Sequence, residues 1–262
     1  MILSMSTLLK LIGVAVGSLL ALLLFFYLSF MVHVSALQKM NPHRTALMED
    51  RGGKIVQTWV PLSRISRSLR NAVIVSEDGN FYNHNGIDFF EMRESFKKNL
   101  QKGKYARGFS TITMQLAKNL YLSRQKTVTR KGLEILIAWE MERKLSKERI
   151  LEIYLNVVEW GRGIYGAEAA SRHYFKKSAA DLSADEAAFL AAILPSPLKW
   201  GQWPPGPYVA RRKSAILARM GYHFVPSHEE IPELPPDLPN LVEPGPDPSD
   251  DVVEPPAEEE TP

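Results

Sequence analysis

Carboxylates and cations carry the most informative spacing in this 262-residue chain. The chain has no cysteine, which excludes thiol nucleophiles, thiolate metal sites and disulfide scaffolds. It also has no His-Glu-x-x-His pair and no Walker phosphate loop. Glu77 and Asp78 follow the apolar run 72–75 and precede Gly79-Asn80, where a helix gives way to a loop and a rigid element can present a catalytic group. An ordinary solvated turn has the same composition. Residues 108–119 read as a loop feeding a helix. There Thr111, Gln115, Lys118 and Asn119 recur at steps of four, three and one, while Ile112, Leu116 and Leu120 take the other face. The hydroxyls of Ser110 and Thr111, the helix-start N–H groups and Lys118 suit an anion such as a phosphate; a routine amphipathic helix shows the same pattern. Arg130, Lys131 and Glu134 fall within a turn and a half of a helix starting near Thr129, so either cation can pair with Glu134, as in any surface ion pair. His84, between Asn83 and Asn85, reads as a hydrogen-bonded structural residue rather than a metal ligand.

The elements that must position these groups are almost all helices. Asp88 with Glu91 forms a capping box opening a helix toward Leu100, and Ser183 with Glu186 forms another whose helix Pro195 ends. Leu133, Leu136, Ile137, Met141 and Leu145 recur at helical steps, as do Ile150, Ile153, Tyr154, Val157 and Val158. A further helix, 209–220, is expected to stop at Gly221, and 54–60 offers one short strand. These elements place one domain at 41–225. Ahead of it, residues 11–32 carry no formal charge and are rich in Leu, Val and Phe, enough to cross roughly 30 Å of hydrocarbon as a transmembrane helix behind a short tail, 1–10. A cleaved signal peptide is the competing reading, but the run exceeds the usual apolar core of roughly 7–15 residues.

Charge divides the chain sharply. Residues 226–262 hold 12 acids, no Lys or Arg, and 11 of the 18 prolines, so this tail is expected to be disordered. The other 17 acids face all 32 bases, which leaves the body near +15 and implies an anionic partner. The tail is then either a weak competitor for that partner or a solvated spacer. Phe89, Phe90, Met92, Phe96 and Leu100 are interleaved with Arg93, Lys97, Lys98, Lys102, Lys104 and Arg107, a pattern that suits either an anionic bilayer surface or core packing with a solvated basic face.

Taken in order, five segments resemble the motifs of the bacterial peptidoglycan glycosyltransferases in their short, single-domain form. They are EDGNFYNHNG (77–86), GFSTITMQLAKN (108–119), RKGLE (130–134), KERILEIYLN (147–156) and GRGIYGAEAASRHYF (161–175). Two departures stand out: Met114-Gln115 replaces the family's usual pair of glutamines, and Lys176-Lys177 its usual Gly-Lys. The first is expected to remove a polar group near the anion site. Ser-x-x-Lys occurs at 95–98 and 123–126 without any Lys-Thr-Gly, so peptide cross-linking is not expected.

The resemblance implies a mostly α-helical, lysozyme-like glycosyltransferase domain behind a single N-terminal transmembrane helix, on the periplasmic face of the bacterial inner membrane. It implies polymerisation of lipid II into β-1,4-linked glycan, with inversion and release of undecaprenyl pyrophosphate. Glu77 would be the general base, and Glu134 would stabilise oxocarbenium character or orient cations and leaving group. Asp78, Phe81, His84, Ser110, Thr111, Gln115, Lys118, Asn119, Arg124 and Arg130 would bind substrate. No cofactor is required, though Mg²⁺ could bridge pyrophosphate oxygens. The implied partners are lipid II, the nascent glycan strand, membrane lipids, and cell-wall synthases or division proteins; nucleic acid is not among them. A membrane-anchored scaffold and a lysozyme-like lytic enzyme are the alternatives, and the Lys and Arg surplus of the second and third motifs speaks for a pyrophosphate leaving group.

Overall fold

The computed structural model of the chain describes residues 5–102, 110–122, 127–201 and 205–222. In chain order the elements are α1 (Met5–Ala36), α2 (Ala46–Arg51), β1 (Val56–Gln57), α3 (Arg67–Glu77), α4 (Phe89–Lys102), α5 (Ile112–Tyr121), α6 (Val128–Lys144), α7 (Lys147–Val157), β2 (Glu159–Gly161), β3 (Ile164–Tyr165), α8 (Ala167–Phe175), α9 (Ala184–Ile193), α10 (Pro197–Trp200) and α11 (Pro207–Tyr222). The acidic tail lies outside the described residues.

Helix starts follow from side-chain oxygens that satisfy first-turn N–H groups. Ser66, Thr111, Thr127, Ser146 and Ser183 cap α3, α5, α6, α7 and α9, each cap contributing about 1 kcal/mol. The expected box of Ser183 and Glu186 is complete, and Asp88 accepts from the Glu91 amide at 2.9 Å. Two expectations need correction. α11 runs through Gly221 to Tyr222, because a glycine weakens a helix by about 1 kcal/mol without breaking its backbone hydrogen bonds. The strand expected at 54–60 shrinks to two residues, and β2 and β3 arise just ahead of and within the fifth motif, where no alternation is visible.

α9 is the hub. It is apolar on every side, with all residues from 187 to 193 buried, and it packs against α3 and α11. Trp160 is buried beside it with its indole N–H on the Leu190 carbonyl at 3.0 Å. β3 pairs parallel with β1 and antiparallel with β2, which bulges between Glu159 and Gly161. Gly166 then starts α8 at φ +84°, where an added Cβ would stand 2.6 Å from the Asn156 carbonyl.

The last turn of α1 belongs to the core, since Val34 and Leu37 are buried and Phe30 meets Tyr121 edge-on at 5.5 Å. Arg149 of α7 fastens it there. Its guanidinium donates to the Leu37 carbonyl (2.8 Å), the Met40 carbonyl (2.9 Å) and Asn41 Oδ1 (2.8 Å), pairs with Glu152, and lies over the Trp59 ring. Among the described residues no helix is long and apolar enough to cross a membrane. The uncharged run 11–32 is a property of the whole sequence, and four of its side chains, at 23 and 26–28, lie outside the described set. Replacing Arg149 by alanine is expected to destabilise the fold by about 2–3 kcal/mol and lower the thermal midpoint by about 5–10 °C, as read by circular dichroism.

Candidate active site

α3 buries Leu69, Ala72, Val73, Ile74 and Val75, and it ends at Glu77 because Asp78 leaves helical geometry at φ −160°, ψ 71°. The Glu77 side chain is 10 % exposed at that helix end. Both its oxygens are held. Oε2 accepts from Gln115 Nε2 at 3.0 Å, and Oε1 accepts from Ser76 Oγ at 3.1 Å and Arg212 Nη2 at 3.2 Å. The Tyr154 hydroxyl donates to Gln115 Oε1 at 2.9 Å, which turns the amide so that its NH₂ faces Glu77. Burial, with the Glu77 and Asp78 carboxylates nearby, pushes the Tyr154 phenol well above its ordinary range, so it stays a donor at any working pH.

Asp78 ties the first motif to the second. Its carboxylate accepts from His84 Nε2 at 2.9 and 3.1 Å and from the Ile112 amide at 3.0 Å. That amide is a first-turn donor of α5, where negative charge is favoured by the helix dipole. Thr111 completes the joint, donating its hydroxyl to the Gly86 carbonyl at 2.6 Å and accepting from the Met114 amide at 3.2 Å. Gly86, at φ +85°, lies so close to α6 that a Cβ would stand 3.2 Å from the Ala138 carbonyl and 3.1 Å from Glu142 Cγ. His84 is therefore structural, as its sequence setting suggested.

The second carboxylate belongs to a cationic cluster. Glu134 on α6 is 2 % exposed, with Arg130 Nη1 at 2.7 Å from Oε2 and Lys131 Nζ at 2.7 Å from Oε1. Lys131 Nζ also donates to Ser110 Oγ at 2.8 Å. Either cation was expected to pair with Glu134; both do. Two cations on one carboxylate make the cluster, taken by itself, more positive than negative, and Ser110 brings the start of the second motif to its edge.

The remaining expected site residues divide. Lys118 is half-buried on α5, whereas Asn119 is buried. Phe81 sits wholly in the core beneath Lys147 Nζ, 4.5 Å from the ring centroid, so its contribution is packing. Arg124 lies outside the described residues. Met114, expected to remove a polar group near the anion site, is fully buried in the core, so this departure from the family pattern falls on packing. Sequence reading missed Arg212 and Tyr154 as parts of the site. Arg212 had a visible signal: it lies three residues after Val209 and four before Ile216, which puts a cation on the buried stripe of α11. Leu133 and Leu136 were read as parts of one apolar stripe, but they are exposed while Ile137 and Met141 are buried.

The chain matches the transglycosylase family over residues 45–221. It is 46 % identical over 206 residues to a biosynthetic peptidoglycan transglycosylase of Paraburkholderia xenovorans, covering 75 % of this chain and 86 % of that protein. It is 44 % identical over 232 residues to a protein of the same name from Thiobacillus denitrificans, covering 85 % of this chain and 100 % of that protein. A third, from Janthinobacterium sp., is 47 % identical over 199 residues, covering 76 % and 82 %. The chain belongs to the transglycosylase family and is a glycosyl-transferring enzyme.

Because two donors converge on the Asp78 carboxylate, Asp78→Ala is expected to lower the unfolding free energy by about 2–4 kcal/mol in urea titration. Asp78→Asn, which keeps an acceptor for the Ile112 amide, is expected to cost less.

Proposed function

We propose that this enzyme is a membrane-anchored peptidoglycan glycosyltransferase that polymerises lipid II, with Glu77 as general base. The observation that carries the reading is the buried Glu134 with Arg130 and Lys131 both at 2.7 Å. Cleaving a neutral glycosidic bond needs no such cluster, whereas a pyrophosphate leaves with growing negative charge that fixed cations stabilise. In the proposed reaction the acceptor's 4-oxygen forms a bond to the donor's anomeric carbon and gives its proton to Glu77. The bond from that carbon to the pyrophosphate oxygen breaks, and undecaprenyl pyrophosphate departs toward Arg130 and Lys131. Attack from the opposite side converts an α-linked donor into a β-1,4 bond, the inverting logic with a sugar hydroxyl in place of water. Glu134, on this reading, orients the two cations. The lysozyme-like character of the domain, 41–225, belongs to the same proposal.

Anchoring by residues 11–32 is supported by exposed apolar side chains along α1, among them Val14, Leu20 and Phe25. The body adds more. Phe89 and Phe90 on α4 are 68 % and 70 % exposed, and Phe96, Leu100, Leu133, Leu136 and Trp139 are exposed on α4 and α6. A solvated apolar face of this kind fits a bilayer surface better than the core-packing alternative. The catalytic body would then stand on the periplasmic face of the inner membrane, in contact with lipid II, the growing strand and membrane lipids. Cell-wall synthases or division proteins are proposed as further partners on the resemblance alone. Among the described residues no group of three or more His, Asp or Glu side chains could hold a metal ion. Mg²⁺ assistance, on this reading, would act by bridging pyrophosphate oxygens.

Full-length protein in detergent, incubated with labelled lipid II, is expected to yield glycan polymer. Glu77→Gln is expected to reduce the rate by about 10²–10⁴-fold with lipid II binding retained. Shortening of preformed glycan by the parent protein would replace this reading with the lytic one, and binding without polymer would replace it with a scaffold. Raising salt from 50 to 500 mM is expected to increase KM for lipid II, since the cationic cluster is only partly shielded from solvent.

A further inference from the structure

Arg212 reaches Glu77 from 135 positions further along the chain. Val209 and Ile216 of α11 are buried on either side of it, and α11 packs against both α3 and α9. Its side chain is 9 % exposed, and Nη2 alone reaches both Ser76 Oγ, at 3.0 Å, and Glu77 Oε1, at 3.2 Å. Nε is buried with no partner among the described residues. A guanidinium in this setting is a poor device for stability: taking the charge out of water is unfavourable, one donor is left unmatched, and an apolar side chain of similar length fills such space without either penalty. What an apolar side chain cannot do is hold a carboxylate oxygen.

We propose that Arg212 is a positioning residue for Glu77. Gln115 secures Oε2 from α5, and Arg212 secures Oε1 from α11, so the carboxylate plane is gripped from opposite elements and one rotamer is presented to the acceptor hydroxyl. Oε1 accepts twice, from Ser76 and Arg212, whereas Oε2 accepts from Gln115 and keeps a lone pair in reserve, which is what a base needs. Arg212 stays charged before and after proton transfer, so the grip persists through the step. Among the described residues, the charged and titratable groups near the carboxylate include Arg212 from α11, Asp78 from its own helix end, and Tyr154 from α7. Of these, Arg212 is a cation in direct contact with Glu77, at 3.2 Å. The inference rests on Glu77 acting as the base.

The test uses full-length Arg212→Met and Arg212→Lys proteins beside Glu77→Gln, with labelled lipid II as probe. The expected result for Arg212→Met is a fall in kcat of about 10–100-fold with KM changed by less than about threefold, far-UV circular dichroism being unchanged. Arg212→Lys, which returns a cation to the same place, is expected to recover at least about threefold of that loss. A rise in KM with kcat retained would overturn the proposal, because Arg212 would then be a substrate ligand. Full activity in both variants would overturn it too, as would equal losses in both that match their loss of folded protein. If Arg212→Met does not fold, Arg212→Lys decides alone: reduced kcat at unchanged KM supports the grip, and any other pattern defeats it. Polymerisation by Glu77→Gln would defeat the underlying base assignment, whereas an inactive Glu77→Gln beside fully active Arg212 variants would defeat only the role of Arg212.

Discussion

A carboxylate withdrawn from water must regain its hydrogen bonds from the protein, and the architecture around the site is the record of how three of them do so. Glu77 draws on α5 and α11, Asp78 on the 80–86 loop and the start of α5, and Glu134 on two cations of its own helix, one of which also holds Ser110. For Glu77 and Asp78 donors come from segments distant in sequence, so each of these two carboxylates acts as a joint. Removing the acid would free the elements it holds. The five motifs are therefore both chemical and mechanical, and the residues that look least reactive, Gly86 and Thr111, are as tightly constrained as Glu77.

Much of this was legible from spacing. Asp88 and Ser183 marked two helix starts, and Ser183 with Glu186 closed the expected box. The i, i+3 and i, i+4 relation of Lys131 and Arg130 to Glu134 became two ion pairs. The Glu77-Asp78 step did fall at a helix end, although spacing could not say that its two side chains turn to different partners. Long-range geometry was not legible. Arg212 is 135 positions from Glu77, and no periodicity connects them. Short strands were also hidden, since β2 and β3 are buried on both faces and too brief to alternate.

Burial separated chemistry from packing in places where the motif pattern could not. Phe81 and Met114 occupy motif positions, yet both are fully buried in the core. Leu133, Leu136 and Trp139 show the reverse, being apolar side chains that the fold leaves on the surface of α6. A helical stripe wider than its neighbours can cover leaves such a face, and α6 packs against α5, α1 and α7.

The junction at Arg149 gives the molecule a mechanical character. A catalytic body on a loose tether swivels, and each productive encounter must select one orientation from many. Here the turn that leaves α1 is set into the core beside Leu37 and bound by a guanidinium to α7. The joint behaves as a weld rather than a hinge. Whatever surroundings align α1 also aim the active-site face, so orientational entropy is surrendered once, during folding, instead of at every turnover.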